Sequence, residues 1–346
     1  MAGNRNLNTA AKAKKDKFYT QLEDIENELR WYREFFIGKT IFCNCDDPFE
    51  SNFFKYFAAK FNDLELKKLI TTSYADSPIA GLEINLFPDG KTAYMTEVTE
   101  LRDWTGDGRE SIYDVEYAIK HRIYKTQPLI GDMNYCAGDF RSKECLEPLK
   151  QADIVVTNPP FSVFREFVAM MIEHDKKFII IGNVNAITYK EIFPLIMQNK
   201  LSLGFGFRGM VGFFASPYED FASASEHQEG MIRNSGVHWF TNFDISKFRE
   251  EIALYKKYSP EEYPRYDNYD AIEVGKTAEI PVDYFGVMGV PITFLDKYDP
   301  RQFEILGCTY TYGDCGIHVD GTSWGAKING KDIYKRLFIR RRKHDD

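Results

Sequence analysis

Short apolar runs rich in β-branched residues alternate with segments of helical periodicity over most of the chain. The clearest runs are KTIFCNCDD (39–47), KKLITTSY (67–74), ADIVVTN (152–158) and KKFIIIGNV (176–184). A strand, a helix and a second strand in that order form a right-handed crossover whose strands are parallel. The alternation therefore predicts an α/β fold on a Rossmann-like, doubly wound sheet, in which ligands bind beyond the carboxyl ends of the strands.

Composition and periodicity along the chain predict a division into three parts. Residues 1–20 are predicted as a basic, flexible N-terminus. Residues 21–244 are predicted as the main domain, with a hairpin insertion near 81–130 and an amphipathic helix over 21–36 whose apolar face is Leu22, Ile25, Leu29, Tyr32 and Phe36. From residue 245 the sequence becomes turn-rich and tyrosine-rich, so 245–346 is predicted as a separate region. Further strands are predicted at 134–140, 201–207, 212–216 and 237–243, and further helices over 51–61, 142–151, 162–174 and 188–199.

Charge is unevenly distributed along the chain. The formal net charge is −8, yet residues 1–20 carry five basic and one acidic side chain, and residues 327–346 carry eight and three. Basic ends suit contact with phosphates, although solvated termini are the commoner explanation of such runs. No apolar run approaches the ~18 residues that cross a bilayer, so a cytoplasmic protein without a membrane partner is expected. Cys308, Cys315 and His318 fit no common zinc spacing, and no metal is expected.

Polar side chains follow the apolar runs where the strands end. They are Asp46 and Asp47, Tyr74 and Asp76, Asp139, and Asn183 and Asn185. Carboxylates accept hydrogen bonds from ribose hydroxyls and from an exocyclic amine, so together these residues indicate a nucleoside site. Each aspartate alone could equally be a helix N-cap or a turn residue. No Gly-Lys-Ser/Thr phosphate loop accompanies them, which argues against a nucleoside triphosphate.

The run ADIVVTN ends in Asn158-Pro159-Pro160-Phe161, and a helical pattern begins at once. An N-cap asparagine and one first-turn proline are ordinary at a helix start, but a second proline and an aromatic ring are not required there. Each proline fixes φ, so a stiff turn whose carbonyls point outward is expected. The Asn158 amide oxygen and the Pro159 carbonyl could accept both N–H groups of an aromatic amine, with Phe161 stacked on its ring, and free the lone pair to attack. A base must leave a duplex to reach such a turn.

Several longer stretches, together with this turn, resemble the EcoRI-type adenine-specific DNA methyltransferases. They are KFYTQLEDIENEL (17–29), CNCDDPFESNFFKYF (43–57), GDFRSKE (138–144), NVNAITYKEIF (183–193), YDNYDAI (266–272) and GVMGVPITFL (286–295). The resemblance implies the class I fold of S-adenosylmethionine-dependent methyltransferases, with residues 21–244 as the cofactor-binding catalytic domain and target recognition by residues 245–346. It implies methyl transfer from S-adenosylmethionine to N6 of a flipped-out adenine in a specific duplex DNA sequence. A cognate restriction endonuclease in the same system would be compatible with it.

The same resemblance assigns roles to individual residues. Asn158, Pro159, Pro160 and Phe161 would meet the target adenine. The implied cofactor residues are Tyr19 and Thr20 over the methionine part, Asp46, Asp47 and Pro48 in the cofactor loop, Tyr74 or Asp76 at the ribose, and Asp139 with Phe140 near the adenine ring. The family's cofactor loop has glycines after Asp-Pro, whereas here residues 49–53 read Phe-Glu-Ser-Asn-Phe.

Two alternatives remain open on the residues alone. Methyltransferases that act on cytosine N4, RNA or a protein use similar turns, and a catalytically silent DNA-binding module would explain the absent glycines. The adenine-type stretches and the large C-terminal region favour an adenine acceptor. The intact Asn158 turn favours an enzyme, because a binding module has little use for that geometry.

Overall fold

The structure is a computed structural model that describes residues 19–74, 92–207, 211–215, 231–309 and 325–343. The chain divides into two compact units. The first comprises Met1–Val184 and Phe205–Thr241, and the second comprises Asn185–Gly204 and Asn242–Asp346. The chain therefore passes into the second unit once over 185–204 and again from Asn242. No helix in the described ranges is both long and apolar enough to span a membrane.

The first unit contains six helices within the described residues and most of the strands. The helices are α1 (Leu22–Leu29), α2 (Arg33–Phe36), α3 (Asn52–Ala59), α4 (Ile112–Lys120), α5 (Lys143–Gln151) and α6 (Phe164–Glu173). The strands are β1 (Tyr19–Thr20), β2 (Thr40–Cys43), β3 (Lys68–Thr72), β4 (Tyr94–Val98), β5 (Lys125–Pro128), β6 (Ile154–Thr157), β7 (Lys177–Asn183), β9 (Val211–Ala215), β10 (Met231–Ser235) and β11 (Val237–Thr241). In the second unit lie α7 (Phe193–Met197) and β8 (Ser202–Leu203).

Four parallel strands form the centre of the main sheet, in the order β3-β2-β6-β7. All four are almost entirely buried, since parallel sheets are covered on both faces, which explains their unbroken apolar sequences. The crossovers from β2 and β6 run in opposite directions, through α3 to β3 and through α6 to β7. The carboxyl ends of β2 and β6 therefore meet at a topological switch point, where α/β sheets bind ligands.

Antiparallel strands flank this parallel centre. β4 and β5 extend the sheet beside β3, and β11 lies beside β7. The predicted α/β class is confirmed, but α4 and β5 were not predicted within the polar insertion over 81–130. Of the hairpin predicted there, residues 75–91 lie outside the described residues, and the second strand is β4, which pairs with β3.

Three local predictions need correction. Leu22 was placed on the buried face of the first helix but is 41% exposed, whereas Ile25 is fully buried. Residues 134–140 do not form a strand, because the Asp132 carboxylate accepts the backbone N–H groups of the two residues that open this segment and turns the chain instead. The helix predicted over 188–199 is α7, which begins only at Phe193 after a 3₁₀ segment, with Pro194 in its first turn.

The second unit is built on a sheet in the order β12-β13-β17-β14. Its strands are β12 (Ile272–Glu273), β13 (Val287–Pro291), β14 (Phe303–Cys308), the small pair β15 (Lys327–Ile328) and β16 (Lys331–Asp332), and β17 (Arg336–Arg341). Tyr266 and Tyr269 are buried and pack against Phe338, with ring centroids 5.9 and 4.5 Å apart. These tyrosines are therefore core residues, and the basic C-terminal run is mainly a paired strand.

A buried carboxylate on α1 fixes a distant loop of the first unit. Glu28 accepts hydrogen bonds from the backbone N–H groups of Phe205 (3.0 Å) and Gly206 (2.9 Å) and from the Tyr32 hydroxyl (3.0 Å). Burial raises the pKa of Glu28, and the hydrogen bonds oppose that shift only in part. The folded protein therefore binds a proton at Glu28 at a higher pH than the unfolded chain does.

The sign of this shift makes a testable prediction. As the pH falls through the raised pKa toward the ordinary value of 4.5, Glu28 is expected to add to the free energy of unfolding. Glu28→Gln removes this titration, so the stability of wild type relative to the variant should increase as the pH is lowered over that window. Urea denaturation of both proteins across the window measures the difference, and a difference independent of pH would contradict the prediction.

Candidate active site

The turn after β6 follows directly from its two prolines. Pro159 is buried, and Pro160 is extended with φ −56° and ψ 130°. The chain then enters a 3₁₀ turn over Phe161–Val163, in which the Val163 N–H donates to the Pro160 carbonyl at 3.1 Å. The Pro160 carbonyl is thus used within the turn, contrary to the expectation that all the turn carbonyls point outward. Asn158 and Phe161 are half-buried at the switch point.

Thr157, the last residue of β6, joins this turn to the loop after β2. Its fully buried hydroxyl lies 2.7 Å from a carboxylate oxygen of Asp46 and 2.6 Å from the carbonyl of Asn44. A hydroxyl has a single proton to donate, so these two acceptors share it. The residue immediately before Asn158 therefore fixes the spacing between the predicted catalytic turn and the predicted cofactor loop.

The predicted cofactor loop turns without glycine. Cys45 adopts a left-handed conformation with φ 62°, which is uncommon for a residue with a side chain. The Cys45 N–H donates to the Thr72 hydroxyl at 3.1 Å, and the Thr72 hydroxyl donates to the Asn44 side-chain oxygen at 2.9 Å. The Thr71 hydroxyl donates to the carbonyl of Asp46. Two threonines at the end of β3 thus stabilise the left-handed bend at Cys45, a conformation that glycine adopts more readily.

Asp47 holds the second half of this loop. Its carboxylate accepts the Phe49 N–H and the Tyr94 hydroxyl, each at 3.0 Å, and its carbonyl accepts the Ser51 N–H at 2.7 Å. Burial, and next the charge of Asp47, raise the pKa of Tyr94, so this hydroxyl remains a donor. Ser51 then caps α3 by accepting the Phe54 N–H. Asp47 and the adjoining Pro48, both buried, therefore shape the loop.

Asp139 and Phe140 lie on a loop that requires glycine. Gly138 has φ +79°, and a Cβ there would lie 2.0 Å from the Ser73 carbonyl oxygen, so this loop packs directly on the end of β3. Phe140 is buried, with its ring centroid 5.1 Å from that of Phe167. Tyr74, half-buried, follows Ser73, and its hydroxyl accepts a hydrogen bond from a cysteine thiol of the same loop, Cys136, at 3.2 Å.

The Asp139 carboxylate is paired with Arg141. One carboxylate oxygen accepts the Arg141 backbone N–H and Nε, both at 2.9 Å, and the other accepts a terminal guanidinium nitrogen at 2.8 Å. Because a carboxylate oxygen accepts about two hydrogen bonds, the second oxygen retains one acceptor position. Arg141 also contacts Glu166 on α6 at 2.6 Å. Asp139 is thereby oriented by Arg141, which is itself held by Glu166 on the helix after the Asn158 turn.

The N-terminal strand reaches the same region. β1 pairs antiparallel with β9, and the Asn52 side chain at the start of α3 donates to the Thr20 carbonyl at 2.8 Å. Thr20 is buried, and its hydroxyl has no hydrogen-bond partner among the described residues. A buried hydroxyl without a partner is costly, so this position favours a polar ligand. Tyr19 pairs with Ala215 through its backbone.

Sequence reasoning missed the residues that connect the predicted positions. These are Asn44, Asn52, Thr71, Thr72, Tyr94, Arg141 and Thr157. The signal available for Thr157 was a polar residue in the last position of an otherwise apolar strand. In the described structure, hydrogen bonds link the segments that carry Thr20, Asp46, Asp47 and Asn158. Tyr74 and Asp139 lie on two further loops that contact each other.

Comparison with known proteins identifies the family. The model of the family described as adenine-specific methyltransferase EcoRI matches residues 6–342. The chain is 42% identical over 350 residues to the type II methyltransferase M.EcoRI of Escherichia coli, with 99% of this chain and 98% of that protein covered. The chain belongs to this family.

Two further relatives agree with the assignment. The chain is 37% identical over 311 residues to the type II methyltransferase M.MgeORF184P of Mycoplasma genitalium, covering 87% of this chain and 86% of that protein. It is 36% identical over 310 residues to the type II methyltransferase M.MpnI of Mycoplasma pneumoniae, covering 87% and 85%. No solved structure gives a significant match. As a member of the EcoRI methyltransferase family, the enzyme is a site-specific DNA adenine methyltransferase, as the sequence resemblance implied.

The packing beneath the Asn158 turn gives one prediction. Gly182 of β7 lies against Phe164, the first residue of α6, and a Cβ at Gly182 would lie 2.3 Å from the Phe164 ring. The ring cannot move freely, because it is buried and packs on Phe240 with centroids 5.0 Å apart. Gly182→Ala is expected to cost about 1–3 kcal/mol of stability by overpacking and to lower methyl transfer by displacing the start of α6.

Thermal unfolding and kcat of this variant are the measurements. The double variant Gly182→Ala/Phe164→Leu removes the clash and should recover part of both quantities. If the single variant matches wild type in both, Phe164 does not support the turn.

Proposed function

We propose that the enzyme transfers the methyl group of S-adenosylmethionine to N6 of an adenine flipped out of duplex DNA. The observation that carries this proposal is the Thr157 hydroxyl bridge, which places the Asn158 turn and the loop over 44–51 side by side at the switch point. A methyl donor held by the loop over 44–51 and an adenine held by the Asn158 turn would be neighbours. Catalysis would then rest on positioning and electrostatics rather than on a strong base.

The chemistry of the surrounding residues fits S-adenosylmethionine. The orphaned Thr20 hydroxyl suits the polar end of an amino acid, and Asp46 and Asp139 suit the hydroxyl and amine donors of a nucleoside. Tyr74 and Phe140 supply aromatic surface beside Asp139. When bound, S-adenosylmethionine supplies a methyl group on a sulfonium, which is a good leaving group. Asp47 and Pro48 would act by shaping the loop.

The residues of the turn have separate roles in this proposal. Asn158 Oδ1 and the Pro159 carbonyl accept the two N–H groups of the adenine amine, which draws N6 from planar toward tetrahedral and makes its lone pair available. Pro160 fixes the turn, and Phe161 stacks on the flipped base. With S-adenosylmethionine bound, the C–S bond would break as the C–N bond forms, and the extra proton on N6 would leave to solvent. The products are S-adenosylhomocysteine and N6-methyladenine.

Transfer of labelled methyl from S-adenosylmethionine to unmethylated duplex DNA, followed by digestion to nucleosides, tests the proposal. Label is expected in N6-methyladenine alone. The matched control is the same duplex fully methylated at N6 of its adenines, which should accept no label. Label in N4-methylcytosine, or in RNA in preference to DNA, would show that another acceptor is used.

The second unit is proposed as the region that contacts and reads DNA, which corresponds to the predicted recognition region over 245–346. Most basic groups of β17 already have protein partners: Arg336 pairs with Glu273 at 2.7 Å, and Arg340 with Glu304 at 3.2 Å. Arg342 and Lys343 are exposed at its end, and the Nε of Arg342 donates to a backbone carbonyl. These two cations are therefore the proposed phosphate contacts.

The salt dependence of DNA binding tests that assignment. The double variant Arg342→Ala/Lys343→Ala is expected to weaken binding to every duplex and to reduce the slope of log K against log salt by about two. Lys150→Ala is the control for loss of one positive charge away from the proposed contacts: α5 leads into the first residue of β6, so Lys150 lies near the amino ends of the parallel strands, opposite the proposed site. An unchanged slope in the double variant would place the phosphate contacts elsewhere.

A further inference from the structure

Two aspartates are each paired with an arginine two residues later, one pair in each compact unit. Asp139 accepts the backbone N–H and Nε of Arg141 on one carboxylate oxygen, both at 2.9 Å, and a terminal guanidinium nitrogen on the other at 2.8 Å. Asp299 accepts the corresponding groups of Arg301, with the backbone N–H at 2.8 Å, Nε at 3.0 Å and the terminal nitrogen at 2.6 Å. The two pairs therefore have the same local geometry and can be compared directly.

The pairs differ in what the carboxylate can still reach. Asp299 is 0% exposed, and its second oxygen accepts Nε as well as the terminal nitrogen. Asp139 is 7% exposed, and its second oxygen accepts one hydrogen bond from the described residues, whereas a carboxylate oxygen accepts about two. Asp299 is therefore closed inside its unit, whereas Asp139 retains one acceptor position that a ligand can reach.

Arg141 is itself fixed on several sides within the first unit. Its other terminal nitrogen donates to Glu166 of α6 at 2.6 Å. Its guanidinium carbon lies 4.7 Å from the ring centroid of Tyr135 and 5.1 Å from that of Phe140, distances at which cations bind aromatic faces. A guanidinium is a rigid planar fork, so the contacts on one side set where the donors point on the other. Arg141 therefore determines the direction of the Asp139 carboxylate.

Other contacts hold the backbone of this loop. The Glu144 carboxylate accepts the N–H groups of Gly131 at 2.9 Å and of Gly138 at 3.2 Å. Gly138 also packs directly on the end of β3. Loss of the Arg141 guanidinium should therefore change the orientation of the Asp139 side chain while the loop stays in place.

We propose that Arg141 is a positioning residue for S-adenosylmethionine and that it acts only through Asp139. By filling three acceptor positions of the carboxylate, it leaves one, directed at a donor of the cofactor's nucleoside. Lysine could not replace it, because an ammonium is a compact point charge that lacks the fork joining Asp139 to Glu166. The role of Arg141 rests on the proposed function of Asp139 at the cofactor, and Arg141 is not proposed to contact the cofactor itself.

Binding of S-adenosylmethionine to variants of the full chain, measured by isothermal titration calorimetry, tests this role. Arg141→Lys is expected to raise the Kd about fivefold or more. Arg301→Lys is the matched control, because it removes the same guanidinium contacts from a carboxylate that no ligand can reach. It should leave the Kd within about twofold of wild type. Equal weakening in both variants would show a general loss of stability and would overturn the proposal.

A double-mutant cycle shows whether Arg141 acts through Asp139. Asp139→Asn should itself weaken cofactor binding, and Arg141→Lys in that background should weaken it no further, because the carboxylate that it positions is gone. An equal effect of Arg141→Lys in both backgrounds would overturn the proposal and leave the role of Asp139 intact. Unchanged binding in Asp139→Asn would instead exclude Asp139 from the cofactor site, and the role of Arg141 with it.

Steady-state kinetics separate positioning from a defect in the chemical step. In Arg141→Lys, KM for S-adenosylmethionine should increase more than kcat falls. A lower kcat with an unchanged KM would contradict action through the cofactor. The Tm of each variant without cofactor shows whether it is folded. If Asp139→Asn is not, the comparison of Arg141→Lys with Arg301→Lys still decides the outcome.

Discussion

Replacing Asn158 with alanine is expected to lower kcat for methyl transfer by about 10²-fold or more, while cofactor and DNA binding change little. The side-chain oxygen is proposed to act on the adenine amine as it becomes tetrahedral, so its loss should affect the transition state more than the ground state. Asn158 is half-buried at the end of a rigid strand, and truncating it leaves Pro159, Pro160 and the following 3₁₀ turn in place. Single-turnover methylation with saturating cofactor and DNA measures the effect.

Asn158→Asp is the informative companion variant. Aspartate keeps an acceptor at the same position, so its single-turnover rate should lie between those of wild type and Asn158→Ala. Equal affinity for S-adenosylmethionine in all three proteins would show that the cofactor loop is intact. A rate near that of wild type in Asn158→Ala would exclude Asn158 from the chemical step and leave the turn with a structural role.

The second large effect is expected at Thr157, where valine preserves shape but removes the hydroxyl. Thr157→Val would leave the Asn44 carbonyl and the Asp46 carboxylate buried without their shared donor, which should cost about 1–3 kcal/mol of stability. Because Asp46 would lose its link to β6, KM for S-adenosylmethionine should increase more than kcat falls. Urea denaturation and kinetics with varied cofactor concentration measure these two quantities.

Thr157→Ser is the matched control, since serine restores the hydroxyl and removes only a methyl group. Its KM for S-adenosylmethionine should be close to that of wild type, even if the lost methyl group lowers stability somewhat. A purely structural role would instead lower stability in both variants and leave KM unchanged in both.

The central strands could be predicted from sequence because a strand buried on both faces is apolar along its whole length. β2, β3, β6 and β7 have this property. Their order along the chain then placed Asp46 and Asn158 at one edge of the sheet, whereas Asp139 lies on a loop packed against the end of β3 and not at the end of the strand predicted over 134–140. The outer strand β5 is largely exposed and reads KTQP, so it carries no such signal. It was missed for that reason.

The contacts that complete the site depend on side chains far apart in sequence. No local pattern indicates that Arg141 contacts Glu166, 25 residues later, or that Thr157 reaches Asp46, 111 residues earlier. The absent glycines of the cofactor loop were a second difficulty. A left-handed Cys45, held by Thr72, forms the bend instead, and an unusual backbone angle of this kind cannot be inferred from composition.

The short pairing of β1 with β9 affects how the enzyme is made. Thr20 acquires its strand partner, Phe214, only after most of the chain has left the ribosome, and that contact closes a very long loop. The N-terminal segment of the proposed cofactor site therefore lacks its strand partner, β9, while the central strands assemble. Completion of the site is expected to be a late event in synthesis, and shortened chains that end before residue 211 would contain the Asn158 turn without the strand that pairs with β1.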